Sequence, residues 1–423
     1  MGLLLVLLAA GLRLWSLGQP STLVWDEHYY VFDGSNLLGG ATGQPEAHPR
    51  YIINGEGTWQ HPPLGKILIG LGEGPLPESP WGWRLPSVLF GTAAVGLTYL
   101  LGLELLGSVS LAGLAGLAVA LDGLEIVQSR VAMLDMFLAT FALAGIYLVV
   151  RERTHPTPDR PPGRVSSLAG GRRRLWAGAA FGAAVACKWD GVFLLALGAG
   201  LTLVWDRQSG RSSRADLSRW AFAFLAVPVA VYVASYAWFW AEHGPQIPGW
   251  FTLQFDMLKH QLKYKTTQPQ TSRPWLWPIL VHPIRYWSTA GAGRPGQAGA
   301  EIVSVGNPAL WWGYLLAAPV LLWAARRRGW VTRLILGGFL ISWLPWMAVW
   351  RPQYCFYLLP AVPFMALGVT AAIRTLPGKW RAAAAVGFGC AVAFWAVALM
   401  PVWLGLHGGP GWARHFALLS SWT

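Results

Sequence analysis

Two adjacent carboxylates, Asp26 and Glu27, stand among aromatic residues in the stretch LVWDEHYYVFDG, just after the first apolar run of the chain. Four further segments carry ionisable residues at the edges of apolar runs. WRLP contributes Arg84, and LDGLEIVQSRVAMLD contributes Asp122, Glu125, Arg130 and Asp135. CKWDG contributes Lys188 and Asp190, and WRPQYCFYLLP contributes Arg351 and Tyr354. A carboxylate with cations nearby, at a lipid surface, suits group transfer from a lipid phosphate. The carboxylate accepts the proton of an incoming hydroxyl. Lysine and arginine stabilise charge on the departing phosphate, arginine through a planar fork of donors. An inverting transfer needs one base and one leaving-group stabiliser, without the second carboxylate that glycoside hydrolysis uses.

Placing these residues requires a membrane. The 423 residues are 54% apolar and only 12% charged, with 27 Trp and 50 Gly. Soluble domains carry about twice that charged fraction. Trp concentrates at membrane interfaces and Gly is common in spanning helices. About 20 apolar residues cross a bilayer. Spans are expected near 2–18, 86–106, 110–128, 131–150, 175–187, 190–205, 220–240, 310–325, 334–350, 355–373 and 382–404, eleven in all. The first is read as a retained span rather than a cleaved leader, since no basic n-region precedes it.

The net charge of +13 lies in short runs between apolar stretches, which excludes a nucleic-acid surface and fits the positive-inside pattern. Four loops, 151–174, 206–219, 326–333 and 374–381, hold 18 of the 32 basic residues. With eleven spans all four share the cytoplasmic face, the N-terminus is inside, and segments 19–85 and 241–309 lie outside. Loops of that length are usually functional. In HPPLGKILIGLG, the prolines open a helix and Leu64, Ile67, Leu68 and Leu71 form an apolar stripe, so a short helix lying on the membrane is expected. Cys187, Cys355 and Cys390 sit in apolar runs with no metal or disulfide spacing. Ionisable groups within spans face protein or water, so the five charged segments at one face describe one site.

These motifs resemble the protein O-mannosyltransferase family. The likeness runs in order through WDEHYYV, HPPLGK, WRLPSVLFG, LDGLEIVQSRVAMLDMFL, CKWDGVF, GNPALWWG and RPQYCFYLLPAVPF, nearly the whole chain. It implies an all-α GT-C fold over residues 1–423, without a separate soluble domain. It implies an inverting transfer of mannose from polyprenyl-phosphate-mannose to Ser/Thr hydroxyls of secreted or membrane proteins, at the outer face of the cell membrane. By resemblance, Asp26 is the base and Glu27 positions the acceptor. Lys188, Arg351, Arg84 and Arg130 are the cations offered to the donor phosphate. His61 and Lys66 shape the outer loop and its lipid contact, and Asp122, Asp135, Trp189 and Tyr354 support the site. Segment 241–309 is too short for the β-rich module of eukaryotic relatives, which implies a bacterial-type member.

Plainer readings exist for several of these residues. Arg351 could snorkel to the interface, Arg130 and Asp135 could form a structural ion pair, His61 could anchor a turn, and Lys66 could touch lipid headgroups. No metal constellation stands out, although acidic residues can hold a divalent ion. The lipid donor is a substrate, and no further cofactor is implied. The partners are the membrane lipid donor and an acceptor polypeptide, and association with a translocon or with itself is compatible with the chain. Alternatives are another GT-C transferase, with an aminoarabinose-type donor or a glycolipid acceptor, and a transporter. The transporter reading suffers from the lack of an internal repeat and from charges gathered at one face.

Overall fold

The computed structural model describes residues 1–38, 60–155, 168–266, 268–289, 299–327 and 329–422. In chain order its helices are α1 (Gly2–Leu14), α2 (Glu27–Leu37), α3 (Leu64–Glu73), α4 (Pro80–Leu106), α5 (Val109–Ala120), α6 (Gly123–Gln128), α7 (Leu134–Thr154), α8 (Leu168–Cys187) and α9 (Gly191–Gln208). They continue with α10 (Arg214–Ala234), α11 (Ala237–His243), α12 (Ile247–Lys263), α13 (Pro308–Arg327), α14 (Trp330–Ala348), α15 (Cys355–Arg374), α16 (Gly378–Trp403) and α17 (Gly409–Arg414). Two short strands, β1 (Ile284–Ser288) and β2 (Glu301–Ser304), pair antiparallel with an irregularity between Arg285 and Trp287.

A helix lies on each of the eleven expected segments. Seven are long and apolar enough to cross a bilayer: α4, α7, α10, α13, α14, α15 and α16. α1 and α5 are apolar but shorter, at 13 and 12 residues. α8 has 20 residues but carries Arg172, Arg173 and Arg174 near its start, which lower its hydropathy. Several expected boundaries move. α1 stops at Leu14. The run 110–128 is broken, because Asp122 leaves the helix and caps α6, its Oδ1 accepting from Glu125 N–H at 3.1 Å. α4 begins at Pro80 rather than at 86, with proline in the first turn where its missing N–H costs nothing.

Burial sorts the helices into centre and rim. Within their apolar windows α7 is 72% buried and α15 is 89% buried, whereas α16 is 22% and α10 is 17%. α7 packs against α4, α8, α9 and α15, which makes it the axis of the bundle. Lateral faces such as Val386, Phe394 and Val397 of α16 stay exposed, as expected of side chains that meet lipid tails.

The two ends of the bundle differ in charge. At one end Arg174 bonds Glu152 at 2.6 Å and Asp206 at 2.6 and 2.8 Å, Thr154 bonds Glu104, and Arg374 reaches Leu105 O. Three of the four basic loops therefore meet there through direct bonds. The opposite end carries Asp26.

The HPPLGK helix forms where expected, but with an inverted role for its polar residue. Its Leu71 is 56% exposed, whereas Gly65, Lys66, Ile69, Gly70 and Glu73 are buried. α3 crosses α2 at bare backbone: a Cβ on Gly34 would lie 2.3 Å from Lys66 O, and one on Gly70 2.4 Å from Gly34 O. That close approach brings Lys66 Nζ to 2.8 Å from Asp33, both buried. Lys66 is thus an internal ion-pair member and not a headgroup contact. The second long segment holds α12 and the β1–β2 hairpin, and the hairpin has no counterpart in the sequence reading.

Candidate active site

The chain leaves α1 and makes a tight turn before α2. Glu27 N–H donates to Val24 O at 3.0 Å, and Asp26 O accepts from Tyr29 and Tyr30 N–H at 2.9 and 3.0 Å. The Asp26 carboxylate is partly exposed, with one long bond, from Tyr30 OH at 3.4 Å. Glu27 next to it is wholly buried. Its Oε1 accepts from Arg84 Nε at 2.8 Å and Ala132 N–H at 3.0 Å, and its Oε2 accepts from Arg84 Nη2 at 2.9 Å and Val24 N–H at 2.8 Å. Glu27 therefore fixes the turn that presents Asp26 and does not reach an acceptor.

Arg84 and Arg130 also bond within the protein. A guanidinium has five N–H donors. Those of Arg84 go to Glu27 twice and to Leu17 O, Pro20 O and Thr22 O at 3.0, 2.8 and 3.0 Å. Nothing is left for a phosphate. Arg130 closes the end of α1, donating to Arg13 O at 2.9 Å, to Trp15 O and to Ser16 O at 3.3 Å. It pairs with no carboxylate among the described residues, so the expected ion pair with Asp135 does not form. Asp122 is structural as well: its Oδ2 accepts from Asn307 N–H and Trp311 Nε1, both at 2.8 Å, tying α6 to α13.

Lys188 and Arg351 behave differently. Lys188 Nζ donates to Asp135 Oδ1 at 2.7 Å and lies 4.3 Å from the Tyr357 ring centre. Burial alone would lower its pKa, but Asp135 and Asp190 more than offset this and raise it, so Lys188 stays cationic. Arg351 is partly exposed, sits 5.8 Å from the Tyr264 ring and 5.7 Å from the Tyr357 ring, and reaches Tyr357 OH at only 3.5 Å. No carboxylate pairs with it among the described residues.

The electrostatics link these groups. Burial raises the Asp26 pKa to about 6, Lys188 opposes the rise, and Asp135 adds to it. His61 lies 6.3 Å from the Tyr30 ring. Burial pushes its pKa well down, and Lys188, Lys66, Arg351 and His260 push the same way. His61 thus stands as a neutral imidazole in a field of cations, next to where an anion would be drawn. Tyr354 joins the site through its ring, 5.9 Å from Trp25, and its hydroxyl, 3.4 Å from Tyr264 OH.

An apolar cavity of about 460 Å³ is lined by Trp189, Val192, Pro228, Tyr232, Phe251 and Phe255 among others. Its polar edge is a short chain, Trp189 Nε1 donating to Tyr232 OH at 2.9 Å and Tyr232 OH donating to Gln254 Oε1 at 2.6 Å. Trp189 thus connects the cavity to Lys188, its neighbour in the chain. Sequence reasoning missed Trp25, Tyr264, Tyr286, Tyr357 and the α12 wall of the cavity. Tyr357 was visible in the CFYLLP stretch, but no local signal marks Tyr286 or Gln254.

Two family models cover the chain. The model described as Dolichyl-phosphate-mannose-protein mannosyltransferase matches residues 3–241, and the one described as the C-terminal four TMM region of protein-O-mannosyltransferase matches residues 246–422. The chain belongs to the protein O-mannosyltransferase family. Among relatives, the polyprenol-phosphate-mannose–protein mannosyltransferase of Mycobacterium tuberculosis is 30% identical over 414 residues, covering 85% of this chain and 77% of that protein. The protein of the same name from Corynebacterium glutamicum is 29% identical, covering 85% and 79%. Both of these relatives are bacterial. Among solved structures, the sugar-donor-bound Pmt1-Pmt2 complex of S. cerevisiae has a TM-score of 0.80 at 14% identity, covering 99% of this chain and 92% of that one. ArnT from Cupriavidus metallidurans bound to undecaprenyl phosphate has a TM-score of 0.60 at 17% identity, covering 91% and 62%. These likenesses establish the GT-C fold for this O-mannosyltransferase family member.

Proposed function

We infer that the protein transfers mannose from polyprenyl-phosphate-mannose to protein, and that Asp26, Lys188 and Arg351 carry the reaction. Family membership and the names of its relatives support the donor and the reaction class. The observation that carries the residue roles is the incompletely bonded Asp26 carboxylate, set at one end of the bundle with two cations that still have donors to offer.

Asp26 takes the proton of an acceptor Ser or Thr hydroxyl as the oxygen attacks C1 of the mannosyl group. The C1–O bond to phosphate breaks, the configuration inverts, and the bonding pair leaves with the polyprenyl phosphate. The phosphate gains negative charge as it departs. Lys188 and Arg351 are already charged and already placed, so they stabilise that charge without reorganising. Asp135 holds the Lys188 ammonium in place, and Glu27 with Arg84 holds the turn under Asp26. The apolar cavity by Trp189 takes the proximal isoprene units, so that the phosphate enters beside Lys188. The Asp26 end faces the exterior of the cell membrane and the Arg174 end the cytoplasm, because the basic loops gather at the latter.

The test is an assay of the full chain with labelled polyprenyl-phosphate-mannose and a Ser/Thr-rich peptide. Label on the peptide hydroxyl is the expected result. Label found only on a lipid or a glycan would assign the chain a different acceptor class.

A further inference from the structure

The turn that presents Asp26 contains an unusual residue. Trp25 and Asp26 are the two central residues of the Val24–Glu27 turn. Trp25 has φ 52°, and Asp26 has φ −73° and ψ −1°. A positive φ followed by these values is the φ pattern of a type II′ turn, whose first central position favours glycine. For a bulky residue this region is a true outlier and costs conformational energy. Glycine would be free of that cost, so the indole must be held for a reason.

What holds it is an aromatic seat. The Trp25 ring lies 5.4 Å from Tyr286 and edge-on to Tyr354 at 5.9 Å. Both tyrosines are buried, whereas Trp25 is partly exposed. Tyr286 is pinned by buried Gln128, whose Nε2 donates to its hydroxyl at 2.6 Å. Tyr354 is stacked on Phe356 with ring centres 5.4 Å apart. The indole is the partly exposed member of this aromatic cluster.

The rings sort along the reaction axis. Tyr357 touches both Lys188 and Arg351, which places it at the phosphate. Tyr354 joins Tyr264, which faces Arg351. Trp25 makes no cation contact among the described residues and is the covalent neighbour of Asp26. In an inverting displacement the hydroxyl arrives opposite the leaving phosphate, so the base marks the acceptor side.

The geometry points to the Trp25 indole as the platform on which the acceptor polypeptide lies, with Tyr286 and Tyr354 as positioning residues beneath it. This rests on the reading of Asp26 as base and of Lys188 and Arg351 as phosphate cations. Amide planes and the acceptor Cβ pack on the ring face, which is large and rigid at low entropic cost. The same seat keeps Trp25 at its positive φ, so acceptor binding and the aim of Asp26 depend on one residue.

The experiment is steady-state kinetics of the full chain in lipid nanodiscs, varying polyprenyl-phosphate-mannose and a Ser/Thr peptide separately. Trp25→Gly relaxes the backbone and removes the ring. It should raise the acceptor KM about tenfold or more while the donor KM stays within about twofold, with Trp25→Phe between it and wild type. A wild-type acceptor KM in Trp25→Gly, or a donor KM rising in step, overturns the platform. If Trp25→Gly does not fold, Trp25→Phe and Tyr286→Leu decide by the same split. A wild-type chain that binds donor yet moves no mannose to peptide instead removes the functional reading beneath the proposal. Wild-type transfer with unmoved acceptor KM values removes the platform alone.

Discussion

Two charge clusters at the same end of the bundle are built from the same residue types. In one, Glu27 accepts four hydrogen bonds and Arg84 spends all five of its donors. In the other, among the described residues, the Asp26 carboxylate has a single bond of 3.4 Å and the Arg351 guanidinium one of 3.5 Å. Asp26 and Glu27 are neighbours in sequence, so residue type and position in the chain do not separate them. Saturation does. A buried charge whose partners are complete is a structural tie, because binding a ligand would first break bonds costly to leave unmade. A charge with unspent capacity next to a cavity is available for chemistry.

Several experiments bear on that contrast. The largest effect belongs to Asp26→Asn, which should lower the transfer rate by about 10²–10⁴-fold, the usual contribution of a general base, at unchanged thermal stability. Measured transfer near the wild-type rate would remove Asp26 from the base role. Arg84→Ala should act on the fold instead. Breaking a buried pair costs about 3–5 kcal/mol, read as lost thermal stability and low folded yield. A stable Arg84→Ala protein with a raised donor KM would move Arg84 into the other cluster.

Arg351→Ala should raise the donor KM by about 10- to 100-fold, since hydrogen bonds to charged groups are worth about 1.5–3 kcal/mol, and leave the acceptor KM alone. An unchanged dependence on donor concentration would count against phosphate binding. A pH profile sharpens the same point. The Asp26 carboxyl, raised to about 6, must be ionised to act as base. Activity should therefore fall as pH drops through that value, by about tenfold per unit below it. A limb near the ordinary carboxylate range would mean that the base carries no raised carboxyl, and loss of the limb in Asp26→Asn identifies whose it is. The smallest effect belongs to the far end of the bundle, where Arg151 and Glu104 form a half-exposed pair at 3.9 Å. Arg151→Ala should change stability by less than about 0.5 kcal/mol and kinetics not at all.

Much of the architecture was legible because its causes are local. Apolar runs such as 131–150 read as helices whatever they pack against. The break at Asp122 was not read, since a helix cap and a charge inside an apolar run look alike until Asn307 and Trp311 arrive to bond it. The stripe of Leu64, Ile67, Leu68 and Leu71 implies a helix lying on the membrane, with Lys66 near lipid headgroups. The Gly34–Gly70 crossing buries Lys66 and turns it from a headgroup contact into half of an ion pair. The hairpin that carries Tyr286 is short and only partly alternating, so periodicity gives it no signal.

The amino-acid order alone determined that the chain is a helical membrane protein, that its ionisable residues sit at helix tips, and that a carboxylate and several cations share one end. Hydrophobicity and the cost of placing charge in lipid act residue by residue, so they can be read without a partner. Only the tertiary structure decided which of those charges remain available. The oxygens that saturate Arg84 and hold Arg130 come from Leu17, Pro20, Trp15 and other residues far away in sequence. Hydrogen-bond saturation is a property of three-dimensional neighbours, and no spacing along the chain encodes it.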